Sequence, residues 1–123
     1  MRKIYYCKKG DKVPVEDFIN NSSEKVRKKF LFCIGYVLGE TGNLSEPYIK
    51  HISINKYSML HELRFKADRK YVRIMFYEED DNIYLLHAFY KTYRRDTDRN
   101  LAYAAKALET FQATQDVKRL SAA

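Results

Sequence analysis

The sequence predicts an α+β fold: a twisted antiparallel sheet of about four to five strands, with two N-terminal helices packed on one face and a C-terminal helix. Three observations lead there. The segments "SMLHELRFKA", "RKYVRIMFYEED" and "IYLLHAFY" follow one another with only short polar stretches between them, and the first two alternate in polarity. Consecutive strands joined in this way pair antiparallel. Ahead of them, Val26, Phe30, Cys33 and Val37 recur at helical period. Behind them, Leu101, Ala104 or Ala105, Leu108 and Phe111 make a second helical stripe.

Taken in order, "RKIYY" (Arg2 to Tyr6) has the β-branched and aromatic character of a short first strand. "KKGDK" is a turn. Pro14 suits the first position of a short helix over "VEDFIN", with Phe18 and Ile19 as its apolar contacts. Asn21 precedes Glu24 at capping-box spacing, so Asn21 is expected to cap the second helix. Leu31, Ile34 and Leu38 flank that helix's stripe; Lys25, Arg27, Lys28 and Lys29 occupy the opposite side, and Gly39 and Gly42 end it.

"SEPYIKHISI" opens an extended region. In the next strand His61, Leu63 and Phe65 share one face, while Glu62, Arg64 and Lys66 share the other. The following strand sets Val72, Ile74 and Phe76 against Tyr71, Arg73, Met75 and Tyr77. "EDDN" (Glu79 to Asn82) has hairpin composition. Asp96 is placed to cap the last helix, and Asp98 suits its positive N-terminus. Residues 1–112 are read as one domain, and 113–123 as a frayed tail.

Of the 123 residues, 46% are hydrophobic and 32% charged, enough to bury a core and too apolar for disorder. No apolar run reaches the roughly 20 residues of a membrane span, and "MRKIYYCKKGDKV" is not expected to act as a secretory signal. Cys7 and Cys33 have no disulfide spacing, which points to a reducing, cytoplasmic compartment. A net charge of +7 favours polyanions: RNA, DNA or an acidic protein.

The cations are placed unevenly. Arg64 and Arg73 lie on adjacent strands and Lys91 follows where the last strand runs out. Like charges opposite one another are destabilising unless an anion lies between them or Glu62 balances them. The plainer alternative is that Arg64 pairs with Glu62 or Glu78 and does nothing else. His87 in an apolar strand can equally be a core histidine with satisfied hydrogen bonds, and His61, sharing a face with Leu63 and Phe65, is read as structural. The run Glu78, Glu79, Asp80, Asp81 lacks the alternating ligands and glycine of a calcium loop. There is no zinc spacing, phosphate-cradling glycine loop or nucleophile elbow, so no metal or cofactor is expected.

"ELRF", "YVRIMFY" and "IYLLHAFYK" resemble the strand motifs of the HigB-like, phage-derived branch of the RelE/ParE toxin superfamily. There the strands read approximately E-L-R-h, Y-R-h-h-F/Y and L-L-H-G-F-x-K, where h is hydrophobic. "VPVEDFINNSSEKVRKKF" is similar to that family's two-helix entry, and "SEPYIKHI" to its loop into the first central strand. The resemblance spans about Val13 to Phe111. It implies a RelE-like fold and a type II toxin: a metal-free ribonuclease cutting messenger RNA on the ribosome, held inactive by a cognate antitoxin, expected to be a small helix-turn-helix protein. The implied catalytic residues are Arg64, Arg73, His87 and Lys91. Three positions depart from the pattern: Ala88 for a glycine, Thr92 for a second lysine and Thr97 for a proline.

Such chemistry suits these residue types. RNA brings its own nucleophile, the 2′-hydroxyl. Fixed guanidinium forks stabilise charge that grows on the phosphate oxygens. His87 can move a proton near neutral pH, and Lys91 can hold the phosphate. Tyr71, Tyr90 and Tyr93 are expected to stack on unpaired bases, with Arg94 and Arg95 holding the backbone. Two other readings stand beside this one: a non-catalytic basic module that binds nucleic acid or a partner, and a toxin directed at gyrase.

Overall fold

The structure, a computed structural model, describes residues 2–37 and 48–120. The expected helix end at Gly39 and Gly42, the place of Leu38 in the apolar stripe, and the start of "SEPYIKHI" lie outside the described residues, as does the Val37 side chain. The elements are β1 (Lys3–Cys7), α1 (Pro14–Asn20), α2 (Glu24–Phe32), a π-helical turn (Cys33–Val37), β2 (Ile49–His51), β3 (His61–Ala67), β4 (Lys70–Glu79), β5 (Asn82–Tyr90), α3 (Asp96–Thr114) and β6 (Val117–Arg119). A short 3₁₀ turn, Asn55–Tyr57, joins β2 to β3.

The fold is α+β, and β3, β4 and β5 form the antiparallel meander that the sequence predicts. Both connections have two-residue corners with both residues at positive φ: Asp68 (53°) and Arg69 (63°), then Asp80 (52°) and Asp81 (68°). That conformation matches the right-handed twist of the flanking strands, and aspartate tolerates it better than most residues.

The sheet differs from expectation in size and direction. It has six strands in the order β2-β3-β4-β5-β1-β6, and it is mixed, because β1 lies parallel to β5 (Lys3↔Asn82 through Tyr6↔Leu85). Such pairing joins segments far apart in the chain and leaves no local trace. The segment expected to fray instead carries β6, antiparallel to β1. Lys8 N donates to Asp116 O at 3.1 Å and Leu120 N to Ile4 O at 2.9 Å. Gln115, left-handed at φ 55°, ends α3 and turns the chain towards that strand.

The helices are not confined to one face. α1 and α2 cover the first face, where Val15, Ile19, Val26 and Phe30 meet Leu63, Val72, Ile74, Ile83 and Leu85. α3 covers much of the second, where Leu101, Ala104, Leu108 and Phe111 meet Met75, Tyr77, Leu86 and Phe89. These second-face side chains are apolar and require a cover. Ala104, not Ala105, is the buried alternative. Leu31, expected to flank the α2 stripe, is exposed.

Two caps also differ. Ser23, not Asn21, caps α2, its hydroxyl accepting from Val26 N at 3.4 Å. Asn21 turns back and donates to Asp17 O at 2.9 Å. Asp96 is the first residue of α3, and its carboxylate accepts from Thr92 N at 3.1 Å and Tyr93 N at 2.7 Å, closing the turn ahead of the helix. Those bonds, first Tyr93 and then Thr92, hold its carboxyl below the usual range.

A bulge in β5 decides which side chains reach which face. Met75 pairs with His87 but Phe76 pairs with Leu85, leaving Leu86 as an additional residue. Counting on from Ile83 and Leu85, His87 would face α1 and α2. The bulge turns it towards α3 and sends Ala88 and Tyr90 to the first face.

Among the described residues, no helix is long and apolar enough to cross a membrane.

Candidate nucleic-acid site

On the second face, α3 leaves open the end formed by β2, β3 and the start of β4. A groove of about 570 Å³ lies there. Lys50 of β2, Glu62 and Arg64 of β3, and Lys91, Arg94 and Arg95 after β5 line it, with Thr97 and Asp98 of α3. Each side chain arrives by ordinary local structure. Strand alternation puts Glu62 and Arg64 on one face. Lys91 N donates to Tyr71 O at 2.8 Å, which extends the β4–β5 ladder and fixes the groove wall. The turn closed by Asp96 then presents Arg94 and Arg95.

Arg64 stands directly opposite Arg73. Arg73 lies behind the groove lining rather than in it. Its Nε is 3.4 Å from Glu62 Oε1, an ion pair without hydrogen-bond alignment, and both side chains are nearly inaccessible. Its Nη1 donates to Val72 O at 3.1 Å. Burial lowers the Arg73 proton affinity, Glu62 opposes that, and Arg64 adds to it. A guanidinium stays charged throughout, so the groove floor carries a buried +/− pair beside a second cation.

The tyrosines separate. Tyr71 is 49% exposed, with Lys66 Nζ 5.1 Å and the Arg73 guanidinium 6.0 Å from its ring centre. Tyr93 is 58% exposed, with the Arg95 guanidinium 5.0 Å from its ring. Both stay available to a stacking base. Tyr90, expected with them, is on the opposite face. Its hydroxyl shares a 2.7 Å hydrogen bond with Ser22, and its ring packs 4.7 Å from Phe18.

His87 is on the same face as Arg64 and Arg73 but lies under α3, outside the groove. It lines a separate cavity of about 280 Å³ with Cys7, Lys8, Lys9, Tyr103 and Lys106. Asn100 Nδ2 donates to Asp96 O at 2.6 Å, so Asn100 Oδ1 faces His87 Nε2, 2.7 Å away. The imidazole therefore carries its proton on Nε2. Burial pushes its pKa below the ordinary 6.5, partly offset by the Asn100 bond. It is a neutral ring at neutral pH.

The structure thus brings Arg64, Lys91, Arg94 and Arg95 to one groove, sets Arg73 behind it, and holds His87 apart. Sequence reasoning noted Glu62 only as a charge balance and missed Lys50 and Asn100. Strand alternation was a usable signal for Glu62; nothing local marks the other two. Burial pushes the Cys7 and Cys33 thiols up to about 12, so neither is a ready nucleophile. Among the described residues, no three His, Cys, Asp or Glu side chains cluster as metal ligands.

A family model described as "Phage derived protein Gp49-like (DUF891)" matches residues 17–109, a stretch that contains every groove-lining side chain. No curated protein and no solved structure matches the chain.

Proposed function

From the premise that the chain belongs to the Gp49-like family of phage-derived proteins, we propose that it is the toxin of a type II toxin–antitoxin pair, an endoribonuclease that cuts messenger RNA on the ribosome. The observation that carries this reading is the opposition of Arg64 and Arg73 beside a groove walled by Lys91, Arg94 and Arg95. A sequence gains nothing in stability from stacking cations there, and a phosphate relieves the repulsion. Tyr71 and Tyr93 supply exposed rings for unpaired bases.

In this reading the 2′-hydroxyl attacks the adjacent phosphorus, and Arg64 and Lys91 stabilise the charge that builds on the phosphate oxygens. Arg73 acts from behind, through its field and through Glu62. The ribosome supplies the positioned single strand. The antitoxin, a small helix-turn-helix protein in this reading, covers the groove with acidic or apolar segments. Charge reversal at Arg64 and Arg95 then weakens the complex.

The experiment is to map message ends in cells expressing wild type or Arg73→Ala. Wild type arrests growth and produces new ends within coding regions; the variant, folded, does neither. DNA damage with intact messages would instead identify a gyrase poison. The placement of His87 in another cavity, bonded to Asn100, favours one second reading: a module of the same fold that binds without cutting. Binding by wild type with no new message ends would establish it.

A further inference from the structure

We propose that Glu62 is a catalytic residue, the general base that takes the proton from the attacking 2′-hydroxyl; this rests on the endonuclease reading above. In-line attack needs a proton acceptor, and the ammonium and guanidinium groups that line the groove are donors only. His87, the ordinary candidate, is held under α3 at a separate cavity. Two carboxylates line the groove, Glu62 and Asp98. Asp98 lies in the exposed first turn of α3, where water surrounds it. Glu62 is 5% exposed, and what is exposed opens on the groove.

Burying a carboxylate in a sheet is costly, and its partner does not saturate it. Its one ion pair among the described residues is the unaligned 3.4 Å approach of Arg73 Nε. No described group donates a hydrogen bond to it, so its lone pairs remain open to a hydroxyl in the groove. Alternation sets it two residues from Arg64, which aligns phosphate holder and proton acceptor along one strand.

The step balances as follows. The Glu62 carboxylate accepts the 2′-O–H proton as the O2′–P bond forms. The P–O5′ bond breaks, and O5′ leaves with a proton from the Lys91 ammonium. The products are a 2′,3′-cyclic phosphate and a 5′-hydroxyl. Solvent exchange returns the proton from Glu62 to Lys91.

The test is single-turnover cleavage of a ribosome-bound message by wild type, Glu62→Gln, Glu62→Asp and Lys91→Ala. It uses the normal substrate and one with sulfur in place of the bridging 5′-oxygen, whose departure needs no acid. Glu62→Gln is expected to slow cleavage about 10²- to 10⁴-fold with unchanged affinity for the loaded ribosome, and to stay slow on the sulfur substrate. Lys91→Ala recovers there. Glu62→Asp, which keeps the charge one methylene short, gives an intermediate rate and guards against misfolding of the glutamine variant. Glu62→Gln cutting at the wild-type rate, recovering on sulfur, or losing only affinity overturns the proposal while the endonuclease reading stands. Wild type that cuts nothing overturns both.

Discussion

Arg64 and Arg73 face each other across neighbouring antiparallel strands, and Glu62, buried beside Arg73, is the nearby anion. Two guanidinium groups share one carboxylate. The surplus cation belongs to Arg64, which opens on the groove. Arg64→Gln removes a like-charge opposition worth roughly 0.2–1 kcal/mol. It is expected to raise unfolding free energy by that amount and to abolish growth arrest. Urea unfolding and an expression assay read the two effects, and a variant less stable than wild type would contradict the account.

Two half-buried imidazoles set a pH dependence. Burial lowers His87, and burial together with His51 lowers His61, against Glu78, which raises it. The folded state binds these protons less readily than the unfolded one. Stability is therefore complete above the ordinary value of 6.5 and declines as pH falls below it. Denaturant midpoints between pH 7.5 and 5 are expected to fall, and less so in His87→Gln or His61→Phe. The His87 ring protons should titrate below 6.5 by NMR, and lower still in Asn100→Leu, which removes the bond that favours the charged ring.

Two phenols expected to act alike are predicted to part company. Tyr90→Phe loses the hydrogen bond to Ser22 and costs about 1 kcal/mol of stability, with message cleavage unchanged. Tyr93→Ala leaves stability alone and weakens single-stranded RNA binding by about 1–3 kcal/mol. Thermal melts and an RNA titration separate the two; a cleavage defect in Tyr90→Phe would place its ring in the site after all.

β6 is predicted to matter for stability. Leu120 is buried, and its backbone N–H bonds to Ile4. Leu120→Ala is expected to cost at least about 2 kcal/mol. Ending the chain after Gln115 should cost more, because it also bares the β1 edge. A truncated chain with the wild-type midpoint would show β6 to be dispensable.

What the sequence revealed follows from how local each signal is. The meander was legible because alternation at Leu63, Phe65, Val72, Ile74 and Phe76 and the acidic corner at Asp80 and Asp81 are neighbouring signals. α3 was legible from its stripe. The parallel β1–β5 pairing was not, because register between distant segments has no local mark. β6, three residues long, looks like any polar tail. Arg64, Arg73, His87 and Lys91 were read as one site with Arg94 and Arg95 beside it; of these, Arg64, Lys91, Arg94 and Arg95 share the groove. Tyr90 was misplaced because Leu86 interrupts the alternation between it and Leu85; His87, which the same bulge brings to the face of Arg64 and Arg73, is kept from the groove by α3.

That single supernumerary leucine acts as a parity switch. Deleting Leu86 would make Phe76↔Leu85 and Met75↔His87 consecutive pairs and leave every later side chain on its present face, whereas deleting Ala88 would invert Phe89 and Tyr90, driving Phe89 into the α1–α2 interior and detaching Tyr90 from Ser22. Lengthening the Asp80–Asp81 corner by a residue would disturb none of these. Single-residue deletions in β5 therefore cost only the lost side chain's own contacts at position 86, where the ladder has a residue to spare, and are disruptive two residues on, however conservative the amino acid removed.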